Sequence, residues 1–210
     1  MDRRRMIISR MSGGYAPPSG LTIAGGCVPT DIYPTDAQDI EFEFALPQGI
    51  SGADKALVLG AQLGWTVKMT RWTSSSATDI AYWYANSPSP HFHFAPTAGT
   101  YYRVKTSLSG ANRTYTVTDE NNVVIYNVTF TNPSVEQNNA PYCLFGLNDN
   151  GVPYPTTDPV TLTNFIVRED GVTTHDIVPR VRLADNVAGM LDIITNTFYA
   201  PTGGTITPIP

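Results

Sequence analysis

From Asp39 to Ala45 the chain alternates, with Ile40, Phe42 and Phe44 on one side and Glu41 and Glu43 on the other. A period of two is that of a β-strand with one face buried and one toward water. Trp65–Trp72 alternates again, setting Trp65, Val67, Met69 and Arg71 against Thr66, Lys68, Thr70 and Trp72. Ala56–Gln62 is instead a near-continuous apolar run, the pattern of a strand covered on both faces. Similar signals predict strands at 80–85, 91–95, 100–108, 113–118, 123–131, 142–147, 160–168, 173–182 and 196–200. Asp119-Glu120-Asn121-Asn122 reads as a tight hairpin turn, because Asn and Asp tolerate positive φ and bond their own backbone. No amphipathic helix of convincing length and no internal repeat interrupts this rhythm. Roughly twelve short strands with Pro, Gly and Asn at the joints predict an all-β fold, a two-layer antiparallel β-sandwich of the jelly-roll kind.

Composition agrees with that picture. Only 15% of residues are charged, too few for exposed helices, while 41% are hydrophobic, enough for a folded core. Its 210 residues suit one large sandwich. Charge divides the chain. Of thirteen basic residues, Arg3, Arg4, Arg5 and Arg10 fall in the first ten positions beside one acid, Asp2. The other 200 residues keep nine basic and seventeen acidic groups, a net of −8. Residues 1–20 therefore read as a basic, Gly/Pro-rich anchoring arm, and 21–210 as the sandwich. An acidic body without a basic face is not expected to bind nucleic acid.

Met6-Ile7-Ile8 is too short for a signal-peptide core, and no run approaches about 18 apolar residues, so neither secretion nor a membrane partner is expected. Cys27 and Cys143 lack metal-knuckle spacing. Two buried free thiols in a reducing cytoplasm is the first reading, with a disulfide as the alternative.

Candidate chemistry is sparse. His91 and His93 share a strand face and can ligate zinc only with further ligands, which the sequence does not supply; no metal and no cofactor is expected. Glu41 and Glu43, at i and i+2, stand roughly 6.5–7 Å apart, within the range of a glycosidase carboxylate pair. Alternation already explains both as a solvent face. Asn148-Asp149-Asn150-Gly151 reads as a turn before it reads as a calcium loop. The Asn112 and Asn127 glycosylation patterns mean little without a secretory signal. Trp72, Trp83 and Tyr84, in the aromatic middle third, are the candidate glycan-stacking residues. No catalytic site is assembled, and the expectation is of a protein that is not an enzyme.

The stretch Asp176-Ile-Val-Pro-Arg-Val-Arg182, then Gly189-Met-Leu-Asp192, then Thr197-Phe-Tyr199, resembles the closing signature of a family of phage and prophage virion proteins. That family carries a concanavalin-like (laminin-G-like) jelly roll and is common in phages of gut bacteria. The opening Arg3-Arg-Arg-Met6 and its Gly/Pro linker are similar too. The likeness covers the arm and residues 160–205, and the middle matches only in strand rhythm. Where family members open the sandwich with an aromatic-plus-threonine motif ending in aspartate, this chain has Cys27-Val-Pro-Thr-Asp-Ile32, and Asp31 alone echoes it. Val178, Val181 and Leu183 with Met190 and Leu191 are expected to form two paired apolar strands around Asp185-Asn186.

The resemblance implies a virion structural protein, a head or tail fibre, appendage or decoration, made in the host cytoplasm. Its partners would be other virion proteins through the arm, further copies of itself, and a host-surface or mucosal glycan. A carbohydrate-binding module or a glycoside hydrolase of the same fold are the alternatives.

Overall fold

The computed structural model describes residues 15–47, 56–63, 65–71, 80–85, 92–131 and 140–210, with backbone alone for 15–16, 62–63, 65–71 and 83–85. Among these residues every regular element is a strand. The first are β1 (Tyr15–Ala16), β2 (Gly20–Ala24), β3 (Val28–Pro29), β4 (Gln38–Ala45), β5 (Leu57–Leu63) and β6 (Trp65–Arg71). Next come β7 (Ile80–Ala85), β8 (Phe92–Phe94), β9 (Tyr101–Ser109), β10 (Asn112–Asp119), β11 (Val124–Thr131), β12 (Cys143–Leu144) and β13 (Gly146–Asp149). The last are β14 (Val152–Pro155), β15 (Val160–Glu169), β16 (Val172–Arg182), β17 (Val187–Asp192), β18 (Thr197–Tyr199) and β19 (Thr205–Ile209).

They form two sheets. The larger runs β11-β10-β9-β4-β15-β16-β17-β18, with β2 beside the first half of β15, β19 beside β2, and β1 beside β16. The smaller runs β14-β13-β5-β6-β7-β8, with β12 joining β5 to β3. The expected all-β sandwich is therefore present. The larger sheet begins before Leu21, since Tyr15–Ala16 and Gly20 already pair in it. One pairing departs from the antiparallel rule: β13 runs parallel to β5, whereas β12 is antiparallel to it. Between them the backbone turns at buried Phe145 (φ 56°), which splits the single strand expected over 142–147.

Alternation sets the core. In β4, Ile40, Phe42 and Phe44 are buried, and in β10 Arg113, Tyr115 and Val117 share the inward face. From Ala56 to Ala61 every residue is buried, as the continuous run requires. Aromatic rings close the gap between sheets: Tyr82 meets Tyr115 at 4.9 Å, and Phe94 meets Tyr102 edge-on at 5.0 Å between centroids. Such pairs add about 0.5–1.5 kcal/mol each beyond the area they bury. The fully buried guanidinium of Arg113 bonds the Gln38 carbonyl at 2.5 Å, the Asp36 carbonyl at 2.6 Å and Asp39 Oδ1 at 3.2 Å, tying β10 to the start of β4.

Turn chemistry follows the sequence. Asp119 Oδ1 accepts the N–H groups of Asn121 and Val123, and Asn122 takes φ 61°. Leu183 departs from expectation: it is 60% exposed, while Met190 and Leu191 are buried. Its position just past the end of β16 leaves it outside the paired register, which closes at Arg182↔Val187.

Candidate functional site

The outward residues of β4, β9 and β15 share one face. Glu41 pairs with Arg168 at 3.0 Å and lies 3.9 Å from Arg103 Nε. Glu43 accepts from Arg103 Nη2 at 3.2 Å and from Thr163 Oγ1 at 2.7 Å. A register shift between β4 and β15 brings Thr163 there, and Asn164 Oδ1 repairs it by accepting the Glu43 N–H at 2.9 Å. The expected open solvent face is thus a packed charge network, with only 12% of the Glu41 side chain exposed. A glycosidase pair needs one carboxyl held neutral beside an anion. Here each glutamate is instead paired with an arginine, Glu41 with Arg168 and Glu43 with Arg103.

Beyond Glu43 the face continues as a cross-strand row. Thr207 stands opposite Thr22, Thr22 opposite Thr161, Thr161 opposite Ala45, and Ala45 opposite Tyr101. A groove of about 400 Å³ lies over this row, walled by Pro47, Gly99, Pro159, Thr205 and Ile209. Its floor is Ala45 and Thr161, both buried, with the Thr161 and Thr22 hydroxyls bonded at 2.7 Å. Tyr101 and Thr22 are half-buried, and Thr205 and Thr207 exposed. Among the described residues, the side-chain oxygens of Tyr101, Thr205 and Thr207 have no intramolecular partner. Burial, then Glu43 and Glu120, push the Tyr101 phenol up, so it stays a neutral hydrogen-bond donor. Sequence reasoning missed this row because a threonine on a strand is ordinary, and the pairing of β19, β2, β15, β4 and β9 is what aligns the five.

The segments that carry the family resemblance meet elsewhere on the same sheet. His175, in β16, has Nδ1 at 2.7 Å from Asp192 Oδ2. The Asp192 carboxylate also accepts from the N–H groups of Asp176 (3.2 Å) and Ile194 (3.0 Å) and from Thr195 Oγ1 (2.9 Å). Burial pushes Asp192 up, but these partners together hold it below the ordinary carboxylate range. Tyr199 donates to Asp31 Oδ1 at 2.5 Å, joining the opening of the sandwich to its end. Burial first, and Asp31 second, raise that phenol. Gly189 is required here, because a Cβ would stand 2.6 Å from the Tyr199 carbonyl and 2.7 Å from the Phe198 ring.

The other candidates fare unevenly. Arg3, Arg4, Arg5, Arg10, Trp72 and His91 lie outside the described residues. Trp83 and Tyr84 are in β7, opposite Lys68 and Val67, and their side chains also fall outside the description. His93 is exposed between buried Phe92 and Phe94. Asn148-Asp149-Asn150-Gly151 forms the β13–β14 turn, with Asn148 Oδ1 accepting the Gly151 N–H. Among the described residues no three His, Cys, Asp or Glu side chains gather as metal ligands.

No protein-family model and no curated protein matches this chain. Solved structures do. A putative carbohydrate-binding protein from Bacteroides ovatus superposes with a TM-score of 0.49 at 9% identity, covering 93% of this chain and 60% of that one. Tailspike protein 2 from the Escherichia coli O157:H7 bacteriophage CAB120 gives 0.47 at 10% identity, over 71% of this chain and 22% of the tailspike. The GH131 β-glucanase catalytic domain from Podospora anserina gives 0.44 at 8% identity, over 74% and 73%. The chain thus spans about a fifth of the tailspike's length. The expectation of a protein that is not an enzyme is corrected here. A β-glucanase, a sialidase variant with trans-sialidase activity and an enzymatically active tailspike domain stand among these neighbours, so absence of activity does not follow from this architecture.

Proposed function

We propose that the protein recognises a neutral glycan in the groove over Thr22, Thr161, Ala45 and Tyr101. The observation that carries this reading is the lining itself. A small floor, the Thr205 and Thr207 hydroxyls without internal partners and one phenol ring at the end fit a ligand whose faces alternate C–H and O–H. Tyrosine supplies both a stacking surface and a hydrogen-bonding tip. With a net charge of −5 and Glu43 beside Tyr101, the face disfavours polyanions. The proposed setting is a phage virion, as the sequence resemblance implies, with Arg3, Arg4, Arg5 and Arg10 anchoring the chain. Multivalent display on a particle would add avidity to a weak site.

A multimerised sample on a glycan array tests this. Binding to neutral glycans, weakened about tenfold in Tyr101→Ala, is expected. A loss confined to Trp83→Ala would move the site to the Trp72, Trp83 and Tyr84 group, and silence on the array would defeat glycan recognition. Reducing ends released from the bound glycans would show that recognition ends in cleavage.

A further inference from the structure

Cys27 lies just ahead of β3, and Cys143 opens β12, the strand antiparallel to β3 with Leu144 opposite Val28. Although 116 positions separate them in the chain, the two side chains both border Gly146. The site where a Cβ on Gly146 would stand is 2.8 Å from Cys27 Cβ and 3.4 Å from Cys143 Sγ. Both cysteines are buried free thiols. Cys27 is held on its other side by Thr202, through paired N–H···O bonds of 3.2 and 2.7 Å.

We propose that Cys27 and Cys143 form a disulfide once the protein leaves a reducing environment, stapling the opening of the sandwich, with the C-terminal segment bonded to it, to the β12 turn of the smaller sheet. The oxidant is a low-molecular-weight disulfide of the glutathione class. The Cys27 thiolate attacks one sulfur of that reagent, the reagent's S–S bond breaks, and one thiolate leaves. Cys143 loses its proton and attacks the Cys27 sulfur of the mixed disulfide, expelling the second thiolate. Two cysteine thiols are oxidised and one disulfide reagent is reduced to two thiols. The order of attack follows from the pair. The neighbouring Cys143 lowers the Cys27 thiol, against burial, while Cys27 and burial both raise Cys143. The thiolate is the nucleophile in such exchange.

The test equilibrates the purified full chain in oxidised and reduced glutathione, then quenches in acid, denatures, alkylates and maps the peptides. The expected result is a Cys27–Cys143 cross-linked peptide in the monomer fraction, reversed by dithiothreitol. It should come with a melting temperature roughly 10 °C higher when oxidised, since closing a long loop restricts the unfolded chain. Cys27→Ala and Cys143→Ala should each abolish both the cross-link and the redox-dependent shift. Two alkylatable thiols at every redox ratio, cross-links only between molecules, or a shift that persists in Cys143→Ala would each overturn the proposal.

Discussion

The larger sheet carries two polar regions that are opposites in one respect. Around Asp192 the polar atoms consume one another: one carboxylate collects His175, Thr195 and two backbone N–H groups, and Tyr199 reaches across to Asp31. Tyr101, Thr205 and Thr207 line the groove, and among the described residues their hydroxyls have no partner. Buried polar groups that satisfy each other hold a fold in one arrangement. Polar groups arranged on a face and left unspent are what a ligand can use. The Asp192 clasp is therefore structural, and the groove is the place for the proposed recognition, although only the clasp had a sequence signature.

That contrast can be broken by mutation. Asp192→Ala should destabilise the fold by about 3–5 kcal/mol, because it leaves His175 and several donors without their acceptor; chemical denaturation reads it, and a cost below about 1 kcal/mol would remove the clasp from the account. The pH dependence of the same site sharpens the point. Asp192 titrates lower folded than unfolded, so its contribution is complete above the ordinary aspartate value of about 3.9 and drains away as pH falls through the depressed one. The stability gap between the wild type and Asp192→Asn should accordingly narrow as pH falls below about 3.9 in denaturation series. At the groove the balance should reverse. Tyr101→Ala should lower glycan affinity about tenfold, or about 1.4 kcal/mol, while costing stability no more than about 1 kcal/mol. Thr207→Val should be the mildest, within about 0.5 kcal/mol in stability, with a several-fold loss of binding in calorimetric titration.

How much of this was legible in the sequence depended on the period of the pattern. The alternation in β4 and the continuous run before β6 predicted burial residue by residue, because a strand's two faces are fixed by its own sequence. Arg113 was readable in principle, since Arg-Thr-Tyr-Thr-Val places it on the face of Tyr115 and Val117, yet arginine is seldom buried. β14 and β19 were missed because Val152-Pro-Tyr-Pro155 and Thr205-Ile-Thr-Pro-Ile209 contain prolines, which only edge positions tolerate. The closing signature was visible, and so was Asp31, but not that Tyr199 would meet it. The groove was not legible at all. Its residues come from β19, β2, β15, β4 and β9, and their alignment is a property of register, which no single segment encodes.

The place of β15 has a consequence for synthesis. β2 ends at Ala24 and finds its described neighbours only in β15, from Val160, and in β19. At about 5–20 residues per second of translation, the first of those neighbours emerges roughly 7–27 s after β2 itself. Through that interval β2, whose Leu21 and Ile23 end in the core, has no native strand to pair with. The larger sheet cannot be completed vectorially, and the nascent chain needs either slow release or a protected early segment to avoid pairing with its neighbours on the polysome.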